Sequence, residues 1–208
     1  MSSEFFIWDF DGMLFDTYPH TVEAFCVFCG RTGREYNRKE IYDLFKVNLR
    51  LGFERYGLSA DEITEFYAIE NDLELEPRGV PFPLIPEILK EICERGGKNF
   101  LYTHRDTVAV KYLELYSLKE LFSGFVTGED GFAYKPAPDA IEHIIKTHAL
   151  EKNACLMLGD RDIDIGAGIN AGIRTLLFDN ENRYGYIGET IRCETSDELY
   201  NAVINELK

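Results

Sequence analysis

Two aspartates, Asp9 and Asp11, close the run FFIWDFDGMLFDT (5–17), whose opening residues are apolar enough for an interior strand. Burying an ionised carboxylate without a partner costs several kcal/mol, so acids in this place need a cation to meet them. Residues two apart along a strand share one side, so both acids leave the sheet in the same direction. A carboxylate can attack phosphorus in line and hold the group covalently, dividing one displacement into two. A second can pass a proton to the leaving oxygen and later take one from water. Acids this close repel and titrate as a pair. A hard cation such as Mg2+, which prefers carboxylates and carbonyls, relieves that repulsion.

Other chemistry-bearing residues stand at the ends of other apolar runs. NFLYT (99–103) closes on Thr103 and His104, while CLMLGD (155–160) closes on Asp160, with Asp162 and Asp164 behind it. Lys135 follows GFVTG (124–128), and TLLF (175–178) completes the set. These runs are apolar on both faces, as covered parallel strands are. Helical stretches alternate with them: PEILKEICER, DTVAVKYLELY, APDAIEHIIKTH and DIGAGINAG. That alternation predicts an α/β fold with a doubly wound, Rossmann-like parallel sheet. Ligands of such sheets gather beyond the carboxyl ends of the strands. Helix capping explains Asp160, a turn explains Thr103 and a solvated loop explains Lys135, but none of these explains all of them at one sheet edge.

The interval from Asp11 to Lys98 exceeds an ordinary crossover. Apolar residues at three-to-four spacing predict helices through it, and Ser59 with Glu62 fits a capping box. Gly52 and Gly57 punctuate its middle, and PRGVPFPLIP (77–86) forms a proline-rich return. We therefore expect a core from 1–16 and 84–208, with a small helical domain, 17–83, inserted after the first strand.

Acidic residues outnumber basic ones 37 to 22, a net charge of -15, which disfavours nucleic acid and anionic lipid. A phosphate site in this field needs a metal or local cations. No apolar stretch is long enough to span a membrane and no signal-peptide pattern opens the chain, so the expected compartment is the cytoplasm. The five cysteines are expected as free thiols, with the C-x-x-C of Cys26 and Cys29 serving packing.

DFDGMLFDT, YTHRD, YKPAPDA and GDRDIDIGAGINAG resemble the four ordered motifs of the haloacid dehalogenase-like (HAD) hydrolase superfamily. The inserted helices resemble the C1 cap of its subfamily I, and the whole is phosphoglycolate phosphatase-like. The resemblance covers the core, about two-thirds of the chain, and implies a phosphatase. It makes Asp9 the nucleophile, Asp11 the general acid and base, and Thr103 and Lys135 the groups that hold the phosphoryl oxygens. Mg2+ would be bound by Asp9, the backbone carbonyl of Asp11, and Asp160, with Asp164 direct or through water. The motif spacing favours Asp164 over Asp162, which reads as a helix-start acid, and Arg161 reads as an ion-pair partner. Backbone N–H groups of Gly12, Met13 and His104 would also meet the phosphate, while His20, Lys46 and Arg50 could reach a second anionic group. For these three, an ordinary surface charge is the competing reading.

Met13 and Leu84 depart from the family pattern, which commonly has threonine and glycine at those places. The expected activity is hydrolysis of a small phosphate monoester, phosphoglycolate or a sugar phosphate. A sugar phosphomutase on the same core, and a catalytically silent phosphate-binding module, are the alternatives. A monomer is expected.

Overall fold

In the computed structural model, described here over residues 3–207, the chain divides into two compact units. One combines the chain up to Leu14 with everything from Pro81 onward; the other is Phe15–Val80.

The first unit is built on a six-stranded parallel sheet. Its strands are β1 (Phe5–Trp8), β4 (Lys98–Tyr102), β5 (Phe122–Val126), β6 (Cys155–Gly159), β7 (Arg174–Phe178) and β8 (Ile191–Cys193). They lie in the order β5-β4-β1-β6-β7-β8, every neighbouring pair parallel. The chain builds outward from β1 through β4 to β5, then returns to the other side of β1 for β6. The topological switch point therefore falls at β1, where the ligand crevice of such a sheet opens. Among the described residues its α-helices are α5 (Ile85–Glu94), α6 (Val108–Leu115), α7 (Asp139–Thr147), α8 (Asp162–Ala171) and α9 (Ser196–Glu206). Ile7, Phe100 and Met157 from the sheet pack with Ile141, Ile144 and Ala167 from α7 and α8, all buried.

The expected strands are present, most with ends within one residue of those expected, while the third runs over 122–126 rather than 124–128. Two elements were not foreseen, β8 and α9. The β8 segment, IRC, is short and two of its three residues are half-exposed, so it carries no apolar run to read.

The second unit holds α1 (Tyr18–Thr32), α2 (Arg38–Val47), α3 (Leu49–Tyr56) and α4 (Ala60–Glu70). The short strands β2 (Phe15–Asp16) and β3 (Val80–Pro81) pair as a separate ribbon. The expected capping box is formed: the Ser59 hydroxyl accepts from the Glu62 N–H, and Glu62 accepts from the Ser59 N–H at 2.9 Å. Its core is aromatic and centres on Phe25, whose ring lies 5.2 Å from Phe45, 5.2 Å from Tyr56 and 5.7 Å from Phe66. Cys26 and Cys29 are buried free thiols beside it, and burial pushes Cys29 up to about 11. Their role is packing.

Leu84 caps α5 with φ at 68°, in the left-handed region that costs a side chain about 1–2 kcal/mol. The site where the family favours glycine is thus one where glycine would relieve strain. No helix among the described residues is long and apolar enough to cross a membrane.

Phe25 is fully buried and central to its cluster, so Phe25→Ala should cost about 3–5 kcal/mol of stability. Urea denaturation followed by circular dichroism checks this; a loss under about 1 kcal/mol would show that the ring cluster does not hold the unit together.

Candidate active site

The parallel register brings the strand-end residues together. Trp8, the last residue of β1, pairs with Leu101 on one side and Leu158 on the other. One step further the Asp9 N–H donates to the Leu158 carbonyl at 2.9 Å. Asp9 therefore lies between the ends of β4 and β6, where Thr103 and Asp160 follow. Carboxylate oxygens of Asp9, Asp160 and Asp164 all lie within 4.8 Å of one another, and all three residues are buried. Asp164 reaches them from the first turn of α8 because residue 159 is glycine. A Cβ on Gly159 would stand 2.2 Å from the Asp164 Cβ.

Three buried acids require compensation, and Lys135 supplies it. Its side chain is 0% exposed; Nζ donates to Asp9 Oδ1 at 2.5 Å and to the Tyr102 carbonyl at 2.9 Å, and lies 2.8 Å from Asp164 Oδ1. It also sits 4.4 Å above the Tyr102 ring. Burial opposes the lysine charge, but Asp164 and Asp9 outweigh it and hold the ammonium protonated well above the usual range. For Asp164, burial works toward the neutral form, yet Lys135 and Arg161 prevail and keep its carboxyl below the usual value. Asp9 goes the other way: burial, then repulsion from Asp164, pushes it up to about 7 despite Lys135. The nominated nucleophile is thus the strained member of the cluster.

Asp9 Oδ2 is buried and accepts no hydrogen bond. A cluster of carboxylate oxygens with an unsatisfied atom is the donor set of a hard divalent cation, so these residues fit Mg2+. The carboxylate of Asp11 is engaged elsewhere; its expected contribution to the ion is the backbone carbonyl.

The remaining residues fall into three groups. Thr103 is buried, and its hydroxyl oxygen accepts the Arg105 N–H at 3.0 Å, so its own proton is free to be donated. The His104 ring accepts the Lys135 backbone N–H on Nε2 at 2.8 Å; burial, then Lys135, lowers its pKa to about 3, so it is a neutral strut for the lysine segment. Gly12 turns the chain with φ at 83°, and Met13 is a fully buried core side chain, consistent with a backbone role only.

Two expectations for the helical unit change. His20 is fully buried, with Nε2 2.7 Å from the Glu70 carbonyl and Nδ1 3.2 Å from that of Pro77. Its ring ties α1 to the end of α4 and to the segment that follows, so it is not an ordinary surface charge. Lys46 is also buried, 4.0 Å from the Tyr18 ring centre. Arg50 is exposed and pairs with Glu54 at 2.7 Å, the arrangement of a surface charge. Asp162 is exposed at the start of α8, and Arg161 Nε lies 3.8 Å from Asp160 Oδ1, both as read from the sequence.

Arg105 was not singled out in the sequence. Its guanidinium forks onto Asp11, with Nη2 2.8 Å and Nε 3.1 Å from Oδ1 and Nε 3.2 Å from Oδ2. The signal available was register: with Trp8 opposite Leu101, positions 11 and 104 draw level just past the strand ends.

A family model for haloacid dehalogenase-like hydrolases matches residues 6–178. The chain belongs to that family. Among curated relatives, a pyrophosphatase, PpaX, of Halalkalibacterium halodurans is 28% identical over 173 residues, 81% of this chain and 80% of its own. A phosphoglycolate phosphatase of Psychrobacter arcticus is 26% identical, covering 97% of this chain and 93% of its own. A hydrolase from Streptococcus pneumoniae superimposes with a TM-score of 0.65 at 29% identity, covering 86% of this chain and 94% of its own. A HAD-superfamily hydrolase of Geobacter sulfurreducens, subfamily IA, gives 0.78 at 19% identity, covering 97% and 100%, and shares the fold.

The raised pKa of Asp9 has a consequence for stability. A folded-state value near 7, above the ordinary 3.8, means the folded protein holds the proton more tightly than the unfolded chain. That contribution is complete below pH 4 and is lost as pH rises through about 7. In EDTA at pH 8, Asp9→Asn should raise the thermal unfolding midpoint, and the gain should shrink at pH 5. Differential scanning calorimetry at the two pH values checks it; an equal shift at both would remove Asp9 as the strained group.

Proposed function

We propose that this hydrolase is a Mg2+-dependent phosphatase of small phosphate monoesters that works through an aspartyl-phosphate on Asp9. One observation carries the reading: a fully buried lysine is held between Asp9 and Asp164, with Asp160 beside them, at the carboxyl edge of the central strand. Burying so much charge is costly even when it is paired, and perturbed ionisable groups of this kind gather at functional sites. The names of the relatives, a pyrophosphatase and a phosphoglycolate phosphatase, point to the same chemistry.

Each residue then has a task. An Asp9 carboxylate oxygen attacks phosphorus and the bond to the leaving oxygen breaks; Asp11 delivers a proton to that oxygen. As a carboxylate, Asp11 then takes a proton from the water that attacks phosphorus, which frees inorganic phosphate and restores Asp9. Lys135 balances charge on the phosphoryl oxygens, and the Thr103 hydroxyl donates to one of them. Asp9, Asp160, Asp164 and the Asp11 carbonyl would hold Mg2+, whose charge lets a dianionic phosphate approach three carboxylates. A helical insertion of the kind the resemblance implies favours small soluble esters over phosphoproteins.

Purified protein with Mg2+ should release phosphate from a panel containing 2-phosphoglycolate, pyrophosphate, sugar phosphates and p-nitrophenyl phosphate, and EDTA should stop it. Asp9→Asn should lower kcat by about 10³-fold or more. Full Mg2+-dependent turnover in that variant would overturn the nucleophile assignment. Interconversion of glucose phosphates without phosphate release would instead make the protein a mutase.

A further inference from the structure

The Arg105 fork on Asp11 has no part in the chemistry above, yet it lies where the leaving group must sit. Asp11 is the group assigned to the leaving oxygen, so whatever touches its carboxylate also lies beside the rest of the departing molecule. Arg105 touches both carboxylate oxygens, its side chain is 10% exposed and that of Asp11 is 24% exposed. The pair is thus at the rim of the cluster rather than sealed within it.

The arginine is held firmly. Its N–H donates to Thr103 Oγ1 at 3.0 Å, and its carbonyl accepts from the Gly128 N–H at 2.8 Å. The guanidinium lies 5.9 Å from the centre of the buried Phe10 ring. The approach of the Gly128 segment needs a residue without a side chain, because a Cβ there would stand 2.4 Å from the His104 carbonyl oxygen. A guanidinium fixed in this way presents a planar fork that matches a carboxylate or a phosphate through two parallel hydrogen bonds.

We propose that Arg105 is a specificity-determining residue that binds an anionic leaving group, a carboxylate or phosphate carried by the part of the substrate that departs. Such an anion takes the place of the Asp11 carboxylate on the fork, which releases Asp11 to turn to the leaving oxygen. A neutral leaving group has nothing to exchange and leaves Asp11 held. In a chain of net charge -15, this fork gives the leaving-group side a positive group of its own, apart from Lys135 at the phosphoryl side. It also moves recognition of a second anionic group from His20 and Arg50, one buried and the other paired with Glu54, to the sheet edge. The inference rests on the phosphatase reading, and the test keeps the two apart.

The matched ligands are 2-phosphoglycolate and 2-hydroxyethyl phosphate, which differ in having a carboxylate or a hydroxymethyl group, with pyrophosphate as the phosphate-bearing arm. In the wild type, kcat/KM for both anionic substrates should exceed that for the hydroxyethyl ester by about 10²-fold or more. Arg105→Ala should cut that ratio by about 10²-fold, with a rise in KM for the anionic substrates, and Arg105→Lys should restore part of it. A loss confined to 2-phosphoglycolate or to pyrophosphate identifies which anion the fork takes. Calorimetric binding of the same ligands in Mg2+ to Asp9→Asn, with and without Arg105→Gln, supplies a readout that needs no turnover. There the carboxylate ligand should bind at least about tenfold more weakly without the arginine. Equal losses for charged and uncharged ligands, in rate and in binding, would overturn the proposal while leaving hydrolysis intact. Conversely, a charge preference in binding without phosphate release in the wild type would overturn the phosphatase reading and uphold Arg105.

Discussion

Lys135 holds Asp9 and Asp164 together at the end of the central strand, with Asp160 beside them, and the rest of the site is arranged around that ion cluster. Without it, Asp9 and Asp164 would face each other in a buried setting where like charges repel with little screening. With it, Asp164 stays ionised while Asp9 is pushed to about 7, so neighbouring acids of the same type differ in behaviour. The lysine in turn depends on features that touch no reacting atom. The neutral His104 ring takes its backbone N–H, the Tyr102 carbonyl takes one of its protons, and Gly159 lets Asp164 come close.

The sheet topology explains why this cluster can exist at all. Strands β4 and β6 flank β1 in register, so residues far apart in the chain end at one level. Strands β1, β4 and β6 bring Asp9, Thr103 and Asp160 to the carboxyl edge, and α8, which begins there, supplies Asp164. The same register places the arginine two residues past Thr103 against the acid two residues past Asp9. Two layers of chemistry result, one around the phosphoryl group and one beside the group that departs.

Much of this was legible in the chain. Asp9 and Asp160 each follow an apolar run that leaves an acid no local partner, and the family resemblance favours Asp164 over Asp162; the structure buries Asp164 and exposes Asp162. The capping box at Ser59 is a local pattern and forms as written. His20 was not legible, because the Glu70 carbonyl that takes its Nε2 is 50 residues away. Nor was β8, an edge strand of three residues, too short to show a pattern.

By itself the sequence determined the strands that end in acids, the order of the motifs and the helical character of the insertion, since apolar periodicity and capping act over a few residues. Only the tertiary structure decided which cation meets which acid. Asp11 and Arg105 stand 94 positions apart, and the lysine that serves Asp9 lies 126 positions away. Pairings of that kind are set by strand order and register, which no single stretch of chain contains.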